Sequence, residues 1–141
     1  MLRVEAGNIA DFRALAYEYE ATLPEDLRHS DVDFIPDVAL VAYLEGIPRG
    51  CVALVAHDDS TGIMKRLYVQ PSARNRGVAR GLVAALVEAA RARGHRRIVL
   101  DTDRTRLIEA YALYQSLGFR ECAPYAPVDY AMPTFMELLL E

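Results

Sequence analysis

The stretch Met64 to Gly94, MKRLYVQPSARNRGVARGLVAALVEAARARG, sets what this chain can become. It opens as a strand, Met64 to Val69, and Pro71 ends that strand. A polar loop, Ser72 to Gly77, follows. Val78, Leu82, Leu86 and Ala89 then recur at helical spacing and predict a long amphipathic helix. Gly94 closes it, as a glycine just past a last turn commonly does. A strand feeding a helix in this way predicts a right-handed crossover to a parallel strand, and Arg97 to Asp101 supplies one.

The turn between strand and helix has the pattern Arg74-x-x-Gly77-x-Ala79. The first N–H groups of a helix lack internal partners and the helix dipole is positive there, so such an end attracts anions. Gly77 and Ala79 let a phosphate approach the backbone, while Arg74, Arg76 and Arg80 add positive charge around it. The chemistry suits a pyrophosphate cradle. On these six residues alone, an ordinary strand-to-helix turn with solvated arginines is the simpler reading. Two named phosphate loops are excluded. No Gly-Lys pair exists for a P-loop, and Gly77-Val78-Ala79-Arg80-Gly81 is not a G-x-G-x-x-G fingerprint.

A chain of 141 residues is expected to form one domain, 1–141, with a real core. It has no long apolar run for a membrane span and no signal-peptide pattern, so a cytoplasmic protein without membrane partners is expected. Cys51 and Cys122 sit in apolar segments without metal-ligand spacing and read as reduced thiols. The net charge of −4 conceals an asymmetry: residues 1–63 carry twelve acids against four bases, residues 64–106 eleven bases against three acids. A basic middle in an acidic chain points to an anionic ligand held centrally. Nucleic acid fits poorly, because the positive stretch is short and lacks interleaved aromatics.

Around this unit the pattern predicts a strand at Met1 to Val4, then a helix capped by Asn8 or Asp11 and running to about Leu23. Strands follow at Ala39 to Leu44 and Arg49 to His57, joined by the turn Glu45-Gly46-Ile47-Pro48. After Asp101, a helix from about Thr105 to Leu117 ends at Gly118, with Asp103 as its cap. A strand at Arg120 to Cys122, a Pro-rich loop from Ala123 to Pro133 and a last strand, Phe135 to Leu140, complete the chain. That last strand is either an edge for pairing with a second copy, as a homodimer would, or a covered one. The expected fold is α/β: a mixed, mostly antiparallel twisted sheet of about six to seven strands, with helices on both faces. His95 reads as a surface loop residue.

Three blocks carry a resemblance: Met64-Lys65-Arg66-Leu67-Tyr68-Val69-Gln70-Pro71, then Arg74-x-x-Gly77-x-Ala79, then Ala112-Leu113-Tyr114-Gln115-Ser116-Leu117-Gly118-Phe119. In this order and spacing they resemble the GNAT superfamily of acetyl-CoA-dependent N-acetyltransferases, over about residues 50 to 140. The resemblance implies a central strand bulged near Leu67 and splayed from Arg97–Asp101. It implies a pantetheine arm pairing with the backbone of Leu67 and Val69, and pyrophosphate on Arg74, Asn75, Arg76, Gly77, Val78, Ala79 and Arg80. A backbone N–H near Leu67 or Tyr68 would polarise the thioester oxygen, and Tyr114 would be the general acid. Many members carry an Asn where this chain has Leu107, so some pantetheine contacts differ. Tyr111 is placed either against the adenine or in plain packing.

Tyr114 has a physical argument of its own. It shares a helix face with Leu107, Ala110 and Leu117, and a phenol with pKa near 10 stays protonated at neutral pH and can donate to a sulfur anion. Without the resemblance, a core tyrosine is the simpler reading. No Ser-His-Asp or Cys-His spacing supports an acyl-enzyme, so direct attack by a primary amine in a ternary complex is expected. The acceptor, a small-molecule or peptide amine, would meet an acid-rich rim. Glu18, Glu20 and Asp129 are the candidate substrate or base residues, with Glu25 and Asp26 nearby, and that rim favours a cationic amine. The second reading is a non-catalytic acyl-CoA-binding sensor or partner module of the same fold.

Overall fold

A computed structural model of the protein describes residues 1–29 and 34–140. Its strands are β1 (Leu2–Ala6), β2 (Val38–Leu44), β3 (Ile47–Ala56), β4 (Thr61–Val69), β5 (Arg97–Thr102), β6 (Arg120–Glu121) and β7 (Thr134–Leu139). Its helices are α1 (Ile9–Thr22), α2 (Val78–Ala92) and α3 (Ile108–Ser116). The seven strands form one sheet in the order β1-β2-β3-β4-β5-β7-β6. Every pairing is antiparallel except β4 with β5.

Alternation along the strands sorts the core onto two faces, since successive strand side chains point to opposite sides. Leu40, Ala42, Val52, Leu54 and Met64 face α2 and join Val78, Leu82 and Leu86. Ala39, Val41, Cys51, Ala53 and Tyr68 face α1 and join Phe12, Leu15 and Ala16. Helices therefore cover both sides, and β3 is buried throughout its middle, Gly50 to Leu54. In α2 the last turn presents Ala90 to the core, with Ala89 half-buried, because a 3.6-residue repeat drifts from simple i+4 spacing. Gly94 (φ +84°) ends the helix, with His95 N–H donating to Ala90 O at 3.0 Å. That bond spans six residues and marks a Schellman end. His95 is buried against Gly62 rather than lying on the surface.

Two local features shape the centre. The β2–β3 connection is the two-residue turn Glu45-Gly46, both with positive φ, as a tight hairpin requires. In β4, Lys65 pairs with Ala53 and Tyr68 with Cys51, so Arg66 and Leu67 together oppose Val52. This is a bulge, and Arg66 takes it in the left-handed region at φ +58°. The Cys51 thiol donates to Arg66 O at 3.4 Å. Beyond it β4 and β5 do not pair; their ladder covers only Thr61–Ile63 against Arg97–Val99. The parallel strands open into a V at their C-terminal ends.

The turn before α3 is organised by Asp103, whose side chain is 1 % exposed. Its Oδ1 accepts from Thr105 N, Arg106 N and Thr105 Oγ1, and its Oδ2 from Arg106 Nε at 2.7 Å. Asp103 thus caps the turn 103–107, and the helix proper starts at Ile108, later than Thr105. The Thr105 and Arg106 contacts hold its carboxyl down from 3.8 to about 2. A depressed carboxylate contributes stability above its unfolded pKa and loses it as pH falls through the folded one. Asp103→Ala is expected to cost about 2 kcal/mol in urea unfolding at neutral pH, at the upper end for a lost cap. The cost should shrink as pH falls from about 4 towards 2. An unchanged midpoint would mean the main-chain bond from Leu107 to Asp103 holds the turn unaided.

Candidate active site

The V opens into a cleft of about 720 Å³, within the range that holds a cofactor-sized ligand. Leu67, Tyr68 and Val69 of β4 form one wall, and Leu107, Ala110, Leu113 and Tyr114 the facing one. Tyr19, Thr22 and Leu23 at the end of α1 close a side. Arg74, Asn75, Gly77, Val78, Ala79 and Arg80 line the end at the start of α2.

That end has the features of an anion cradle. Gly77 (φ +79°) is the N-cap of α2 and offers no side-chain cap. A Cβ placed on it would meet nothing within 4 Å, so the space above the helix start is open. Gly81 N–H bonds Gly77 O at 3.0 Å, but the N–H groups of Val78, Ala79 and Arg80 meet no main-chain acceptor among the described residues. Arg80 reaches Ser116 O at 3.4 Å and remains exposed. Arg76 does not line the cleft. It lies on the Glu45 side, where that carboxyl is held low first by the N-terminal ammonium and more weakly by Arg76.

The β4 wall is specific about which backbone groups it offers. Gln70 N–H donates to Arg49 O at 2.8 Å. Alternation in an antiparallel ladder then turns the N–H and C=O of Val69 away from β3 and into the opening. Its C=O already accepts Arg74 Nε at 3.0 Å, so the N–H is the Val69 group left for a ligand. Arg74 is fixed at the cleft end by the same bond.

Tyr114 is buried at 8 % exposure, packed edge-on against Phe119 at 6.2 Å. Its hydroxyl makes no hydrogen bond among the described residues, and the residue lines the cleft. Burial drives the phenol strongly upward, with Tyr19 and Asp101 adding to it, so it stays protonated. Tyr19, beside it in the cleft, is raised to about 12 by burial and then by Glu20.

The acids expected on the acceptor rim are mostly engaged. Glu20 accepts from His29 N at 2.7 Å, contacts His29 Nδ1 at 2.6 Å and lies 3.6 Å from Arg66 Nε. Asp26 takes both terminal nitrogens of Arg106, at 2.8 and 2.9 Å. Glu18 is held by Tyr68 OH at 3.3 Å and Gln70 Nε2 at 3.1 Å. Asp129 is exposed and makes no hydrogen bond or ion pair among the described residues. None of Glu18, Glu20 and Asp129 lines the cleft.

The acetyltransferase (GNAT) family model matches residues 8–119. The chain belongs to the GNAT family. Its relatives include the N-acetyltransferase YsnE of Bacillus subtilis, itself uncharacterized, 36 % identical over 93 residues, covering 64 % of this chain and 62 % of that protein. The IAA acetyltransferase of Azospirillum brasilense is 35 % identical over 97 residues, covering 65 % of this chain and 61 % of that one. The matches thus span about three fifths of these relatives' lengths. Among solved structures, a Klebsiella pneumoniae protein assigned as an acyl-CoA N-acyltransferase superposes with TM-score 0.85 at 30 % identity, covering 100 % of this chain and 99 % of that one.

Within this GNAT fold, Leu107 lines the cleft and offers an apolar contact there. Tyr111 does not reach the cleft; its hydroxyl donates to Glu121 at 2.5 Å. Arg106 lines the cleft and ties the segment before the undescribed residues 30–33 to the turn before α3, a role missed in the sequence. The spacing Asp103-x-x-Arg106 was its one local signal. Asp101, Tyr125 and Tyr130 form a cluster that no sequence motif announced: Tyr125 OH donates to Asp101 Oδ1 at 3.0 Å, and Tyr130 OH to Oδ2 at 2.8 Å.

Proposed function

We propose that the protein transfers an acetyl group from acetyl-CoA to a primary amine by direct attack in a ternary complex, with the cytoplasm as its compartment. One observation carries this reading: a single cleft runs from the open N-terminus of α2 to Tyr114, whose hydroxyl has no partner among the described residues. The fit to coenzyme A is chemical at each part. Free N–H groups of Val78, Ala79 and Arg80, with Arg74 beside them, suit a pyrophosphate. The β4 edge and the apolar Leu107, Ala110 and Leu113 suit a pantetheine arm. An N–H near the bulge at Leu67 or Tyr68 supplies the oxyanion contact.

In the transfer, the amine nitrogen attacks the thioester carbon. A C–N bond forms and the C–S bond breaks. Tyr114 gives its proton to the departing sulfur and regains one from solvent, while the nitrogen's proton leaves to water. Holding both reactants in one cleft replaces a bimolecular encounter.

The relatives' names point to chemically unlike acceptors, among them the N-acetylaspartate synthetases of zebrafish, rat and human. The acceptor must therefore be read from this chain's own residues. Incubation with acetyl-CoA and a pool of primary amines tests the reading. Thiol release should require an amine and match the amount of N-acetylated product by mass spectrometry. Binding of acetyl-CoA without amine-dependent release would favour the non-catalytic module.

A further inference from the structure

Asp101 lies two residues beyond Val99, the last β5 residue paired with β4, so it stands in the open part of the V. Strand alternation puts it with Val99 on the α1 side, opposite Ile98 and Leu100, which join the core beneath α2. The segment between β6 and β7 folds over this side. Tyr125 packs edge-on against Phe135 at 5.3 Å and against His57 at 5.7 Å, and Phe135 is the β7 partner of Asp101. Two phenols from that segment thereby clamp one carboxylate.

No cation meets this carboxylate among the described residues. Glu20, Asp26, Glu121 and Glu137 each have one, in Arg66, Arg106, Arg104 and Arg97. Lys65, on the same face of β4, places its ammonium over the Phe34 ring at 5.7 Å instead. A carboxylate has about four lone-pair positions, and the two phenols use two of them. Two positions remain, although Asp101, like Glu18, Glu20 and Asp129, is not itself part of the cleft lining. Its field reaches both cleft tyrosines, since Asp101 helps to raise Tyr19 and Tyr114.

We propose that Asp101, clamped by Tyr125 and Tyr130, binds the ammonium group of the arriving acceptor, which gives one proton to water before its nitrogen attacks, and so selects a cationic alkylamine over an amine that carries its own carboxylate. This rests on the acetyltransferase reading and names the acceptor class for it. Charge-assisted N–H···O bonds supply the attraction, and the fixed phenols keep the carboxylate from rotating away. The acceptor's own carboxylate would face that charge at close range and be repelled. The cation contact thus moves from the outer acids, largely paired already, to a carboxylate on a rigid strand.

The test compares wild type, Asp101→Asn and Tyr130→Phe with three acceptors: putrescine, a neutral-side-chain peptide amide with a free N-terminus, and aspartate. Wild type should prefer the two cations over aspartate by about tenfold or more in kcat/KM. Asp101→Asn should raise KM for the cations about tenfold, the size expected for one lost charged hydrogen bond, while coenzyme A affinity by calorimetry stays unchanged. Tyr130→Phe keeps the charge and should raise the same KM by a smaller factor; it serves if Asp101→Asn fails to fold. Preference for aspartate, or cation KM values untouched in both variants, overturns the proposal while acetyl transfer itself stands. A wild type that binds acetyl-CoA and acetylates no amine overturns both readings together.

Discussion

Tyr114→Phe should bind acetyl-CoA as wild type does and lose about a hundredfold or more in turnover. The ring stays, with its edge-on contact to Phe119, so the wall of the cleft keeps its shape. The hydroxyl has no partner among the described residues, so its loss leaves no partner group unpaired and should hardly change stability. What goes is a proton donor that burial keeps protonated in the cleft. The split between kcat and affinity separates this role from packing: a core tyrosine would change neither. The measurement is thiol release at saturating acetyl-CoA, beside calorimetric titration with coenzyme A. Undiminished turnover would hand protonation of the thiolate to water.

Much of the fold was legible because it is local. The strand, loop and helix from β4 through α2 follow from Pro71, Gly77, Gly94 and a 3.6-residue repeat, and the cleft forms where that unit turns. Strand ends were less legible. β4 begins at Thr61 rather than Met64 and β1 runs to Ala6 rather than Val4, since pairing with a neighbour, not composition, sets a strand's length. The left-handed Arg66 has no sequence signal, because an arginine gives no hint of positive φ.

The acceptor side was the least legible, for a physical reason. Counting acids such as Glu18, Glu20, Glu25 and Asp26 suggested a negative rim, but charge at a site depends on partners from distant segments. Arg106 meets Asp26 across 80 positions, and Tyr68 meets Glu18 across 50. Asp101 lies near the end of an ordinary buried strand, and only the return of the Pro-rich segment brings Tyr125 and Tyr130 to it. The end of the cleft at the start of α2 needed no such return, since its backbone N–H groups and Arg74 lie within one short turn.

The second large effect is at Gly77. Aspartate there would sit at the N-cap of α2, where it is a favoured residue, and a Cβ meets nothing within 4 Å. The left-handed backbone at φ +79° costs a non-glycine residue about 1–2 kcal/mol, which the new cap partly offsets. The fold should survive, but the carboxylate would occupy the cradle itself, accept its free N–H groups and repel a pyrophosphate. Gly77→Asn has nearly the same shape without the charge, so the difference between the two variants isolates the anion. Calorimetric titration of coenzyme A into wild type, Gly77→Asn and Gly77→Asp is the most direct measurement of whether this cleft holds the acyl donor. The account predicts saturable binding by wild type, and affinity lower by at least tenfold, about 1.4 kcal/mol, in Gly77→Asp, with Gly77→Asn between them. Equal affinity in wild type and a folded Gly77→Asp, or no binding by wild type, would contradict it.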